Sequence, residues 1–272
     1  MIEYLSRAWV SYKKNFWSFI LAEIVSMLPS LMLFFIGLLF LLSSLKPWVD
    51  WETVLNITEE EVLKEYILGL FETTGFIYSF LKGLLIFGMF VILAILVRSY
   101  FQIGIYGMAY ESLKKRTRLK TMFLFSRKMG FRWLLTVLIL FGIFLLVIPI
   151  IFLIGILTFG LGFILFILFI PPILLVAPSM VVEDASPTSA IKNAFNVSKK
   201  NYLGIFVLFL VYLLIVVLLQ IINNLVLMIP IIGVLVNFLV TFGNWFVLTP
   251  VFTISLVCFY LKNRKKEEVE LI

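Results

Sequence analysis

The segments Leu5–Phe16, LSRAWVSYKKNF, and Ala190–Tyr202, AIKNAFNVSKKNY, are two copies of one pattern. At one fixed offset Leu5 meets Ile191, Ala8 meets Ala194 and Trp9 meets Phe195, and Lys13-Lys14-Asn15-Phe16 meets Lys199-Lys200-Asn201-Tyr202. In the first copy Leu5, Trp9, Tyr12 and Phe16 fall on one helical stripe; in the second Ile191, Phe195, Ser198 and Tyr202 do. Each copy runs straight into a long apolar segment. The repeated unit is therefore a short basic amphipathic helix, suited to lie in a membrane interface, followed by a helix long enough to cross a bilayer.

Composition points the same way. The 272 residues are 63% hydrophobic and 14% charged, against about a quarter charged in soluble domains. The mean hydropathy is +1.16. Backbone in lipid must bond to itself, so spans are helices or closed barrels. The apolar runs here are continuous rather than alternating, which selects an all-α protein over a barrel.

Six spans are predicted, at about 16–45, 76–110, 131–154, 160–182, 202–223 and 231–260. The first is too long for the apolar region of a signal peptide and reads as a retained span. The connecting charges sort by side. Arg7, Lys13 and Lys14 precede the first span; Lys114, Lys115, Arg116, Arg118, Lys120, Arg127, Lys128 and Arg132 precede the third. Lys192, Lys199 and Lys200 precede the fifth, and Lys262, Arg264, Lys265 and Lys266 follow the sixth. The loop 46–75 carries seven carboxylates between Asp50 and Glu72. Basic links on one face put both termini in the cytoplasm and the protein in the cytoplasmic membrane. The spans then pair as three hairpins, each preceded by a basic amphipathic interfacial helix; the middle one is built on Leu119, Met122 and Phe123. All six spans form one membrane domain.

Local signals refine this layout. Ser186 with Pro187 reads as the start of the helix before span five, and Glu183 and Asp184 sit near its positive end, as caps or as a cation or proton site. Thr58 with Glu61 reads as a capping box for a short helix in the acidic loop. Trp48 and Trp51 suit an interface. Asn56-Ile57-Thr58 matches the glycosylation pattern, which recurs by chance. Prolines 171, 172 and 178 interrupt span four and imply a kink.

Candidate functional residues are few. Charge inside an apolar span is costly, so it is suspect by default. Lys82 can snorkel outward. Glu23 and Arg98 lie deeper, as an ion pair or as a site where Arg98 holds a lipid phosphate or substrate anion. Gln220, Asn223, Asn237, Thr241 and Asn244 have the spacing to join helices by hydrogen bonds or to line a polar path. Lys13, Lys14, Lys199 and Lys200 are the interfacial basic residues. There is no histidine and a single cysteine, Cys258, which reads as a small core residue. No disulfide framework, Cys/His metal site or nucleotide or hydrolase motif can be assembled, so neither cofactor nor metal is expected. The net charge of +7 flanks the spans, and so points to membrane lipids rather than nucleic acid.

The stretch beginning at Pro171, PPILLVAPSMVVEDASPTSAIKNAFNVSKKNYLGIF, and the basic link Gly104–Phe123, GIYGMAYESLKKRTRLKTMF, resemble a broad six-helix family of bacterial and archaeal membrane proteins. In that family a proline-containing span leads through an acidic turn and Ser-Pro into a helix ending in basic residues and Asn. The family is similar to the membrane domain fused to some glycerophosphodiester phosphodiesterases. The resemblance implies a membrane module in lipid or envelope handling; the catalytic domain of those enzymes has no counterpart here. The expected role is a non-enzymatic scaffold or lipid-interacting module. The alternatives are a small transporter or permease subunit for an anionic or amphipathic solute and, third, a membrane-embedded lipid enzyme. Assembly with a second copy or a membrane partner subunit is left open by the sequence.

Overall fold

Every regular element among the described residues, 2–57, 59–158, 169–226 and 230–270, is helical in the computed structural model. They are α1 (Ile2–Lys14), α2 (Phe16–Leu45), α3 (Trp51–Asn56), α4 (Glu60–Glu72), α5 (Thr74–Ser112), α6 (Leu119–Leu157), α7 (Val176–Glu183), α8 (Pro187–Lys200), α9 (Tyr202–Val226), α10 (Pro230–Gly243) and α11 (Thr249–Glu270). A π-helical turn, Asn244–Leu248, joins the last two.

Among the described residues five segments are long and apolar enough to cross a membrane: Phe16–Leu45, Thr74–Ser112, Leu119–Ile156, Tyr202–Val226 and Gly233–Arg264. A sixth is reached only if Phe169–Glu183 and Pro187–Lys200, bent by 117°, are counted together. The chain is thus a multi-pass helical membrane protein. The expected fourth span, 160–182, lies partly outside the described residues; its C-terminal part is α7 with the helical stretch 169–174 before it.

The chain divides into two compact units, Val25–Arg98 and the remainder, Met1–Ile24 with Ser99–Ile272. In the larger unit α11 is the hub. The last span, Gly233–Arg264, is the most buried of the five. Ile254, Leu256, Val257, Phe259 and Tyr260 are buried along it, and α1, α7 and α9 pack on it. The other spans keep apolar side chains outward because lipid is as good a solvent for them as another helix. Helices α5 and α6 approach closely at Gly104, where an added Cβ would lie 2.5 Å from the Met122 carbonyl oxygen.

The sequence repeat is present as geometry. Asn15 donates from Nδ2 to Ser11 O (2.9 Å), and Asn201 does the same to Val197 O (3.3 Å). Their backbone N–H groups bond to Tyr12 O (2.9 Å) and Ser198 O (3.1 Å), and their carbonyls accept from Phe19 and Ile205. Each Asn stands at the break between one helix and the next. Burial repeats at the same offset: Ala8, Ser11, Tyr12, Asn15 and Phe19 are buried in the first copy, and Ala194, Val197, Ser198 and Ile205 in the second. The expected stripes are displaced by a residue, because small Ala8 and Ala194 face the protein while Trp9 and Phe195 are exposed at 42% and 37%. An isolated helix of this length is marginal; α1 is held by docking that small-residue face on α11.

A third copy differs instructively. At a second fixed offset Met122, Ser126, Met129, Trp133 and Thr136 are buried where Ala8, Tyr12, Asn15, Phe19 and Ala22 are, and Arg127-Lys128 take the place of Lys13-Lys14. Here Met129 stands where the others have Asn. Helix α6 runs unbroken from Leu119 to Leu157. The separate middle interfacial helix expected before span three is therefore the first three turns of the span helix itself.

In the smaller unit, Phe34 packs edge-on against Phe87 and Phe40 stacks on Phe90, joining the inner parts of α2 and α5. The acidic loop holds two helices rather than one. Asp50 caps α3, accepting from the Glu52 and Thr53 amides at 3.1 and 3.4 Å. Helix α4 starts at Glu60 after Glu59, with no side-chain cap bond; Thr58, expected to cap it, lies outside the described residues. Trp48 donates from Nε1 to Ser79 Oγ at 3.0 Å, which fixes the loop to the start of α5.

Candidate functional site

The densest polar constellation lies where α7 meets α8. Helix α7 is buried from Val176 to Val181 and ends at Asp184, whose backbone is left-handed with φ 51°. Ala185 N–H returns to Met180 O at 3.2 Å, the six-to-one bond of a Schellman turn. Asp tolerates the left-handed region better than most residues, so no glycine is needed. Two residues later Ser186 takes the N-cap position of α8 with Pro187 in its first turn, as the sequence predicts. Its hydroxyl, however, donates to Ser189 Oγ at 2.9 Å rather than capping the backbone.

This turn places two neighbouring carboxylates in different surroundings. Glu183 collects three donors: the Tyr260 hydroxyl, Asn193 Nδ2 at 2.6 Å, and Arg264 Nε at 3.2 Å. Tyr260 also reaches Ser179 Oγ at 3.1 Å. One side chain thus joins α7, α8 and α11. Asp184 points the other way and is met from α6, by Lys128 Nζ at 2.5 Å and Arg132 Nη1 at 3.1 Å. The Lys128 ammonium bonded to it, with the Arg132 guanidinium alongside, holds the Asp184 carboxyl below the usual aspartate range. Together the pair ties four helices to one bend. The sequence offers Glu183 and Asp184 as caps or a cation site; the structure makes them cross-links occupied by protein donors.

The polar residues of the last two spans form a ladder. Asn223, buried on α9, donates from Nδ2 to Asn237 Oδ1 on α10 at 3.1 Å, and Thr241 Oγ1 donates to the same oxygen at 3.4 Å. Gln220 Nε2 donates to Asn224 Oδ1 at 3.2 Å within α9. Asn244 stands apart at the start of the π turn, where its carbonyl accepts from Thr249 Oγ1 at 3.0 Å. Asn223 Oδ1 and Asn244 Oδ1 are buried without a hydrogen-bond partner among the described residues. Asn223, Asn237 and Thr241 are therefore brought together as a helix-joining cluster, and Gln220 and Asn244 are not part of it.

Glu23 belongs to the larger unit and is buried, with 2% exposed. Arg98 belongs to the smaller unit and donates from Nη1 to Ser26 Oγ. Lys13, Lys14, Lys199 and Lys200 are all exposed at the ends of α1 and α8, with the Lys13 ammonium 5.1 Å from the Trp9 ring centroid. Cys258 is buried on α11. Among the described residues no group of three or more Asp, Glu or Cys side chains is placed to hold a metal ion.

The chain matches no family model, no curated protein and no solved structure. Function therefore has to be argued from the arrangement itself.

Proposed function

We propose that this protein is a non-enzymatic module of the cytoplasmic membrane that organises or braces lipid at the inner leaflet, with both termini in the cytoplasm. The observation that supports this most is the threefold recurrence of one device. A small or apolar face is buried against the bundle, and an exposed basic pair follows on the next turn: Lys13-Lys14, Lys199-Lys200, and Arg127-Lys128, of which Lys128 is bonded to Asp184 and Arg127 is left for lipid. An apolar span follows each pair. Such pairs sit at the boundary between hydrocarbon and water, where each cation near an anionic leaflet contributes roughly 1 kcal/mol. Trp9 and Phe195, exposed beside them, are placed to enter the headgroup layer. The positive-inside bias sets the orientation, and the resemblance to the six-helix membrane family fits a lipid-handling role.

The test is stability in nanodiscs of phosphatidylcholine alone against phosphatidylcholine with phosphatidylglycerol. The anionic lipid should raise the midpoint of thermal unfolding. Replacing Lys13, Lys14, Lys199 and Lys200 together by Gln should remove most of that rise. An unchanged midpoint across lipid compositions would count against the reading.

A second reading, a permease subunit for an anionic or amphipathic solute, draws on the two buried carboxamide oxygens of Asn223 and Asn244 and on the 117° bend after Glu183. Broken helices with unsatisfied polar groups line many transport sites. It predicts solute flux in proteoliposomes that Asn244→Leu abolishes.

A further inference from the structure

One cleft in the larger unit is built from segments far apart in the chain, and nothing above uses it. It encloses about 790 Å³. Its charged lining comes from three places: Arg7 and Lys14 on α1, Lys114 just after α5, and Lys262 on α11. Ser6, Ser11 and Ser112 add hydroxyls, and Val10, Leu113 and Leu261 form an apolar wall. Among the described residues no carboxylate lines it. Beside it Glu3 is bonded to Arg7 at 3.0 Å and Lys262 at 2.6 Å; it offsets one of those two charges and leaves the other, with Lys14 and Lys114, as net positive charge. The Lys262 ammonium, with Arg7 beside it, holds the Glu3 carboxyl below the usual glutamate range, so Glu3 stays ionised near neutrality.

The cleft is held open by structure. Ser11 Oγ donates to Ser112 O at 2.9 Å and meets Ser112 Oγ at 2.8 Å, which pins α1 to the end of α5 at the cleft floor. Lys114 is positioned over the Tyr110 ring at 4.0 Å, with its ammonium donating to the Tyr110 hydroxyl at 2.6 Å. Lys14 is exposed and has no carboxylate partner among the described residues. The site also lies where two apolar spans end, Ser112 closing α5 and Lys262 near the end of the span Gly233–Arg264, which is where lipid headgroups begin for a helix that crosses a bilayer.

We propose that this cleft binds a phosphate group, and that its apolar wall selects the lipid-borne form, the headgroup of an anionic phospholipid, over the free ion. Lys14 and Lys114 supply ammonium donors to the phosphate oxygens, Ser6 supplies a hydroxyl, and Val10, Leu113 and Leu261 cover the glycerol and upper acyl carbons. The inference rests on the membrane-module reading but is separable from it, since a belt of surface lysines would bind anionic lipid without a defined site.

The experiment is native mass spectrometry of the full chain in mild detergent, titrated with dioleoylphosphatidic acid, with dioleoylphosphatidylcholine, or with inorganic phosphate. One tightly retained phosphatidic acid per chain is expected, weakening as ionic strength rises. Lys14→Gln with Lys114→Gln should weaken it by about thirtyfold, roughly fivefold per lysine. Lys14→Arg with Lys114→Arg should restore it, which guards against mere misfolding. Lys120→Gln with Lys192→Gln removes equal charge outside the cleft and should leave retention unchanged. Equal loss in the two Gln pairs would overturn the site and leave the lysine-belt reading standing. Retention of inorganic phosphate but not of phosphatidic acid would overturn the lipid assignment. No retention of either, together with no effect of anionic lipid on stability, would sink both.

Discussion

The Glu183 cross-link offers a quantitative test of what holds the bent segment to the bundle. Tyr260 is fully buried, and its hydroxyl donates to a carboxylate that is itself 19% exposed. A hydrogen bond to a charged group contributes about 1.5–3 kcal/mol. Tyr260→Phe should therefore destabilise by about 2–3 kcal/mol, in the upper half of that range, because buried Ser179 also loses the hydroxyl it meets at 3.1 Å. Glu183→Gln keeps the shape and an acceptor for Asn193 but removes the charge that Arg264 and Tyr260 address. It should also cost about 2 kcal/mol; the Arg264 share is small because that side chain is 34% exposed and solvent screens it. If the two changes remove one shared interaction, the double variant should cost about 1–1.5 kcal/mol less than the sum of the singles. The assay is reversible unfolding in mixed sodium dodecyl sulfate and dodecyl maltoside micelles, followed by far-ultraviolet circular dichroism. A coupling within about 0.3 kcal/mol of zero, the range of independent sites, would refute the claim that Tyr260 and Glu183 act as one unit.

Three further outcomes are expected. Asn15→Leu should cost about 1–3 kcal/mol, because the buried Thr117 amide that donates to Asn15 Oδ1 at 2.8 Å loses its acceptor; Asn201→Leu should cost less, having only a 3.3 Å local bond to lose, and equal losses in chemical unfolding would contradict the assignment. Gly104→Ala should destabilise by about 1–3 kcal/mol as α5 and α6 are forced apart at Met122, whereas a neutral change would mean that the helices do not pack there. For Asp184, the depressed carboxyl contributes stability that is present above the unfolded value of about 3.9 and is lost as pH falls through the lower folded value. Wild type and Asp184→Asn should therefore differ in unfolding midpoint near pH 6 and converge toward pH 3, and a constant gap would show that the ion pairs with Lys128 and Arg132 are not the cause.

The parts of this architecture legible in the sequence are those set by local chemistry. Apolar runs give the span helices, Ser186-Pro187 gives the start of α8, and the paired Lys-Lys-Asn gives the breaks after α1 and α8. Where local signals are weak the reading slips. The charges and apolar residues before span three match the repeated pattern and so predict a separate helix, but Met129 stands where the other two copies have Asn at the break, and α6 is continuous there. Asp50 carries a cap signal for α3, standing two and three residues ahead of the amides it accepts, and the sequence reading places only one helix in that loop. The partners of Glu183 and the walls of the cleft are long-range facts. Glu3 and Lys262, or Ser11 and Ser112, meet only because α1 docks on α11 and the end of α5, and no spacing along the chain states that.

The repeated-unit topology requires the basic links to share one side of the membrane. In a Cys258→Ala background, Lys115→Cys, Lys199→Cys and Glu65→Cys can each be probed in whole cells with a membrane-impermeant maleimide, before and after permeabilisation. Glu65→Cys should label in intact cells, and the two lysine replacements should label only once the membrane is opened. Labelling of Lys115→Cys and Lys199→Cys from opposite faces would contradict the repeated-unit topology on which the rest is built.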